Sequence, residues 1–142
     1  MQIKIKYLEK DLQKIEHKDN GDWIDLRCAQ DTYLKKGEHK YIPLGIAMQF
    51  PDRFEGHLAP RSSTFKNYGI LMTNSVGIVD ESFCGNNDQW MFSAFATRNT
   101  MIKKNDRICQ FRIMKKQPRI DFLEVESLNN PNRNGFGSTG IK

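Results

Sequence analysis

The chain has 142 residues, 38% of them hydrophobic and 27% charged, with a formal net charge of +5. That is the composition of a globular protein large enough for one core, and no run approaches the roughly 20 apolar residues of a membrane-spanning helix. Cys28, Cys84 and Cys109 are odd in number and far apart, and His17, His39 and His57 stand beside no nucleophile motif; this spacing argues against a Cys/His metal centre and a His-dependent triad.

Along the chain, short apolar runs alternate with turn residues every 8–12 positions, the rhythm of an all-β sandwich or barrel. The opening "QIKIKYL" puts Ile3, Ile5 and Tyr7 on one face of a strand. It alternates too strictly for a signal peptide, so the expected compartment is the cytoplasm. "KDNGDW" (18–23) reads as a turn and "WIDLRCA" as the strand after it. "YIPLGIAMQF" (41–50) reads as one apolar run, followed by "EGHLAP" (55–60). "SSTFKNY" (62–68) is the best helix candidate, a turn or two long. "YGILMTN" (68–74) follows, then a hairpin candidate in "TNSVGIVDESFCGN" (73–86). "FCGNNDQW" (83–90), with an exposed-looking Trp90, is a candidate surface for a regulatory protein partner. "WMFSAFA" (90–96), "RICQFRIM" (107–114) and "RIDFLEV" (119–125) complete the strands. The basic residues are spread along the chain and read mainly as solvated faces, so no obligatory nucleic-acid partner is expected.

The composition then shifts. "SLNNPNRNGFGSTGIK" (127–142) is nearly all Gly, Asn, Ser, Thr and Pro and cannot bury much apolar surface, so a flexible arm is expected after a β domain over 1–126. Gly135, Gly137 and Gly140 spell G-x-G-x-x-G, but a Rossmann fingerprint needs a following helix and the sequence ends two residues later. A P-loop needs Lys where Ile141 stands. The ingredients of an anion-binding lid remain: glycines, the hydroxyls of Ser138 and Thr139, the fork of Arg133, and Phe136 to stack on a base.

Five ordered stretches carry a resemblance. "GDWIDLR" (21–27), "PRSS" (60–63), "NSVGIVDESFCG" (74–85), "DRICQ" (106–110) and "RNGFGSTG" (133–140) together resemble the motifs of the homotrimeric dUTPases, most closely the short form of Bacillus-type bacteria and their phages. The resemblance implies a jelly-roll-like β-barrel, a homotrimer with active sites shared between chains, and a C-terminal arm that closes over a neighbour's site. It implies hydrolysis of dUTP to dUMP and pyrophosphate, with Asp80 as the base that activates water for attack on the α-phosphorus. Mg²⁺ would be held by the triphosphate and water rather than by the protein. Arg61, Ser62, Ser63 and Gln110 would grip phosphates. Asn74, Gly77, Ile78 and Val79 would read the uracil edge. Arg133, Gly137, Ser138 and Thr139 would close on the β/γ end, with Phe136 over the base. Asp25 and Asp106 match family aspartates and would sit one layer back, near the metal's water shell or holding strand ends.

Two departures from the family pattern stand out. Phe83 replaces the usual Tyr, keeping a flat apolar surface under the deoxyribose but losing its hydroxyl. Arg133 lies three residues before Phe136 where the family arginine often lies five before, and Asn134 takes the place of glycine. The alternatives are a dCTP deaminase-type enzyme, which would need a glutamate where the chain carries the Asp80 pattern, and a non-catalytic nucleotide-sensing or partner-binding relative.

Overall fold

The computed structural model describes residues 1–17 and 19–142. The turn expected over 18–23 therefore falls partly outside the described residues, at Lys18. The described chain forms β1 (Lys4–Tyr7), β2 (Ile24–Arg27), β3 (Thr32–Leu34), β4 (His39–Pro43), β5 (Ile46–Gln49) and β6 (Phe54–Pro60). After these come α1 (Thr64–Tyr68), β7 (Ile70–Met72), β8 (Gly77–Val79), β9 (Met91–Ala96), β10 (Thr100–Ile102) and β11 (Arg107–Lys115). Every strand pairing is antiparallel. The ladders run β1-β5, β10-β3, β2-β11-β6-β8 and β4-β9-β7. They wrap one core in a jelly-roll-like all-β fold without closing into one continuous barrel. Among the described residues no helix is long and apolar enough to cross a membrane.

Two-residue periodicity explains which side chains enter the core. In β9, Phe92, Ala94 and Ala96 are buried while Met91 and Phe95 face outward, as a strand with one covered face requires. In β3 and β10 the same alternation buries Thr32, Leu34, Thr100 and Ile102 and leaves Tyr33 and Met101 outside. α1 is the short helix expected within 62–68, five residues long and ended by Gly69 in the left-handed conformation.

Four expectations need correction. The apolar run 41–50 is two strands, β4 and β5, in different ladders. The break is at Gly45, whose φ is +68° and where a Cβ would lie 2.9 Å from both Ala29 Cβ and Leu12 Cδ2. Residues 73–86 do not form a hairpin. β7 pairs with β9, whereas β8 pairs with β6, so the turn at 73–76 carries the chain from one sheet to another. Trp90 is a core residue, 2% exposed, set edge-on to Phe50 and Phe111 with ring centroids 5.7 and 5.3 Å away. Its backbone pairs with Leu44 and Ile46, which draws the ring inward, and Gly56 leaves the space beneath it. Finally, 119–125 is not a strand. β11 ends at Lys115, and among the described residues the next segment joins no ladder. Ile120, Phe122, Leu123 and Val125 are consequently exposed, Phe122 by 95%.

The thiols are unpaired: Cys28 and Cys109 are buried, and Cys84 is exposed. Burial raises the pKa of both buried thiols, which keeps them protonated and unreactive.

Candidate active site

A polar cleft is built where β2, β11 and the end of β6 meet. In β2, Asp25 and Arg27 are two residues apart and share a face. In the β11 register, Gln110 stands opposite Asp25 and Arg107 opposite Arg27, with a bulge between Arg107 and Cys109. Arg107 and Gln110 are three residues apart, a spacing that strict alternation would send to opposite faces. The extra residue of the bulge brings both to one face, and both line the cleft. Gln110 also pairs with Ala59 on β6, and its Nε2 donates to the Pro60 carbonyl at 3.1 Å. β6 therefore delivers Arg61 and Ser62 to the same place.

The cleft has a volume of about 360 Å³ and is lined by Asp25, Arg27, Arg61, Ser62, Arg107 and Gln110, together with Glu16, Asn20, Gly21, Asp22 and Trp23. Asp25 is bracketed by two guanidinium groups: Arg61 Nε lies 2.9 Å from Oδ1 and Arg107 Nη1 lies 3.0 Å from Oδ2. Arg61 Nη1 donates to the Arg107 carbonyl at 3.2 Å, and Arg27 Nη1 to that of Asn105 at 2.8 Å. Arg27, Arg61 and Arg107 thus gather beside Asp25, with forked donors suited to phosphate oxygens. The Arg61 backbone is fixed by Thr64, whose hydroxyl accepts the Arg61 N–H at 2.9 Å and donates to the Ile108 carbonyl at 2.7 Å.

A second group gathers around β8. Gly77 is buried against β6, where a Cβ would lie 3.1 Å from Leu58 Cβ and from Met72 Cε, so the close strand approach requires glycine. Ile78 and Phe83 are exposed and Val79 is half-buried. Asp80 follows β8 in a turn. Its Oδ1 accepts two hydrogen bonds from Ser82, from the backbone N–H at 2.9 Å and the hydroxyl at 2.7 Å. The Ser82 hydroxyl and N–H, with Lys116 contributing charge, hold the Asp80 carboxyl below its ordinary pKa. Beside it, Glu81 accepts from the Arg53 N–H and from Lys116 Nζ, both at 2.7 Å. This ties the turn to the end of β11.

The two groups lie at opposite ends of β6. Val79 pairs with Gly56, placing Asp80 beside Glu55, whereas Arg61 follows the other end of the strand. Six residues of strand at ~3.3 Å each set the two ends about 20 Å apart. Of the residues expected at the site, Arg61, Ser62, Gln110 and Asp25 are brought together in the cleft. Asn74, Gly77, Ile78, Val79, Asp80 and Phe83 form the separate β8 group. Ser63 begins α1 without a side-chain cap. Asp106 sits in the turn before β11, where it accepts the Lys103 N–H at 3.0 Å and so holds a strand end. Arg133, Phe136, Gly137, Ser138 and Thr139 are exposed, and the hydrogen bonds of their segment run within 135–140. Arg27, Arg107 and Trp23 line the cleft although the motif stretches that contain them gave them no role. The one signal for Arg27 was its i+2 spacing from Asp25; that for Arg107 was hidden by the bulge. Among the described residues no three His, Cys, Asp or Glu side chains converge as metal ligands.

Comparison with known proteins gives a consistent assignment. The dUTPase family model matches residues 13–140. The chain is 57% identical, over the full length of both, to the SPbeta prophage-derived deoxyuridine 5'-triphosphate nucleotidohydrolase YosS of Bacillus subtilis (strain 168). It superimposes with a TM-score of 0.78 and 19% identity on a Staphylococcus bacteriophage 80alpha dUTPase with dUPNHPP, covering 99% of each chain. It also matches a mutant dUTPase from phage phi11 of S. aureus that coordinates a structural Mg(II) ion (TM-score 0.78, 14% identity, 92% of this chain and 100% of that one). A family model spanning nearly the whole chain, a full-length relative and a shared fold converge: the chain belongs to the dUTPase family.

Proposed function

We propose that the chain hydrolyses dUTP to dUMP and pyrophosphate, as a homotrimer whose active sites are each built from more than one chain. The observation that carries the assembly is the separation of the two half-sites. A base must stand within hydrogen-bond reach of the water it activates, and about 20 Å of strand between Asp80 and Arg61 puts that out of reach within one chain. Bringing the β8 group of one protomer against the cleft of another resolves this, and closed cyclic symmetry makes equivalent sites. The apolar segment 120–125, uncovered in its own chain, also supports association.

In this reading Asp80 Oδ2, free of the Ser82 contacts, takes the proton of the attacking water. Arg61, Ser62, Ser63 and Gln110 hold the phosphates, and donors there stabilise the charge that moves to the leaving pyrophosphate. The outer edge of β8 at Gly77, Ile78 and Val79, with the Asn74 amide, selects uracil by matched hydrogen bonds. Phe83 packs under the sugar. Residues 127–142 act as an arm over a neighbour's site, with Phe136 on the base and Arg133, Gly137, Ser138 and Thr139 on the terminal phosphates. Mg²⁺, when bound, would be carried by the triphosphate and its water and would supply charge neutralisation there. Both Asp25 oxygens are already engaged by arginines, so the cleft fits a metal carried by phosphate and water better than one bound by protein carboxylates.

Product analysis with dUTP, dCTP, dTTP and UTP tests the chemistry: dUTP alone should yield its monophosphate and pyrophosphate. Ammonia release from dCTP would instead indicate deamination. Mixing tests the sharing. Asp80→Asn and Arg61→Ala variants, each nearly inactive, should regain part of the activity when their subunits are exchanged. No recovery in confirmed mixed trimers would place both half-sites on one chain.

A further inference from the structure

We infer that Asp25, locked by Arg107, is a positioning residue that aims Arg61 at the phosphate chain; this rests on the phosphate-binding reading of the cleft. Asp25 is an odd residue to find there. A carboxylate in the middle of an anion site repels the ligand, and its field alone would weaken binding. Its geometry offers a compensating role. Arg61 has three guanidinium nitrogens. Nε is held by Asp25 Oδ1 at 2.9 Å and Nη1 by the Arg107 carbonyl at 3.2 Å. Nη2 makes no hydrogen bond among the described residues and remains as the donor for a ligand. The second Asp25 oxygen is held by Arg107 Nη1 at 3.0 Å, so the carboxylate cannot swing away. Arg107 thus grips the pair twice, through its side chain on Asp25 and its carbonyl on Arg61.

The side chains of Asp25 and Arg61 are only about a quarter exposed, which keeps the pair partly out of screening water. A long arginine side chain has many rotamers, and ordering it at the moment of binding opposes affinity. An arginine already fixed by two contacts avoids most of that loss. The β11 bulge is what makes the clamp, because it turns Arg107 to the same face as Asp25.

The positioning role and the simple field of the charge predict opposite signs. Asp25→Asn removes a negative charge beside the ligand, so the field alone would tighten anion binding. Loss of the clamp would weaken it. The probe is inorganic tripolyphosphate, titrated calorimetrically into the full-length protein in EDTA, so that metal cannot contribute. We expect Asp25→Asn to weaken tripolyphosphate about tenfold, an effect of the size of one charge-assisted contact. In an Arg61→Ala background the same substitution should have no further weakening effect, because the residue it positions is gone. Asp25→Glu keeps the charge and lengthens the arm; it should also weaken binding, where the field alone predicts no change. This variant decides the matter if Asp25→Asn fails to fold.

Unchanged or tighter binding in Asp25→Asn, or equal weakening in both backgrounds, would overturn the inference. So would a wild-type protein that ignores tripolyphosphate. Wild-type hydrolysis of dUTP is scored separately, so loss of the clamp and loss of the dUTPase reading give distinct results.

Discussion

Thr64 is the smallest change with the clearest consequence. Its side chain is 1% exposed and bridges two elements of the site. The hydroxyl accepts the Arg61 N–H at 2.9 Å and donates to the Ile108 carbonyl at 2.7 Å, joining the start of α1 to β11 next to its bulge. Thr64→Val preserves shape and leaves no cavity, so the loss is purely of hydrogen bonding. Stranding the Ile108 carbonyl costs ~1–3 kcal/mol and weakening the Arg61 N–H contact ~0.5–1.5 kcal/mol. The sum is about 1.5–4.5 kcal/mol. Urea denaturation with linear extrapolation reads it, at one protein concentration because association adds to apparent stability. Thr64→Ser keeps the hydroxyl and should lose only about 0.8 kcal/mol for the missing methyl. The valine variant should also raise KM for dUTP, since the Arg61 backbone is released. A Thr64→Val protein within ~0.5 kcal/mol of wild type would refute the idea that this hydroxyl holds the phosphate-binding turn.

Asp80→Asn should still bind dUTP but lose about 10²-fold or more in kcat, and near-normal turnover would remove Asp80 from the chemistry. Ending the chain before Asn130 should leave a folded, associated protein that turns over poorly, and sedimentation with steady-state kinetics checks both halves of that statement. Carbon NMR titration should find the Asp80 carboxyl below its ordinary 3.8, and Ser82→Ala should move it upward, because two Ser82 donors favour the charged form. The depressed value makes the Asp80 contribution to stability complete above pH ~3.8 and lost as pH falls through the native pKa; a titration unaffected by Ser82→Ala would assign the shift elsewhere.

The strand rhythm, the short helix and the five motif stretches were legible because they depend on local spacing and residue type. Phe92, Ala94 and Ala96 had to share a face of β9, and Gly69 had to close α1, whatever the rest of the chain did. Other features had no local signature. Trp90 looks exposed among polar loop residues, yet its backbone pairing with Leu44 and Ile46 carries it into the core. Residues 119–125 alternate like a strand, yet a strand needs a partner, and among the described residues this segment joins none of the ladders. The hairpin expected at 73–86 joins two sheets instead, because pairing is chosen by long-range register.

The candidate site divides in the same way. By itself the sequence determined which chemistry was available: a carboxylate after β8, a basic and hydroxyl-rich turn after β6, a glutamine in β11 and a glycine-rich end. Only the tertiary structure decided the groupings. It set Asp25 between Arg61 and Arg107 through a bulge that side-chain alternation cannot foresee. It also put Asp80 at the far end of β6 from the arginine-lined cleft, because strand length and pairing register, not the order of motifs along the chain, fix how far apart two side chains stand.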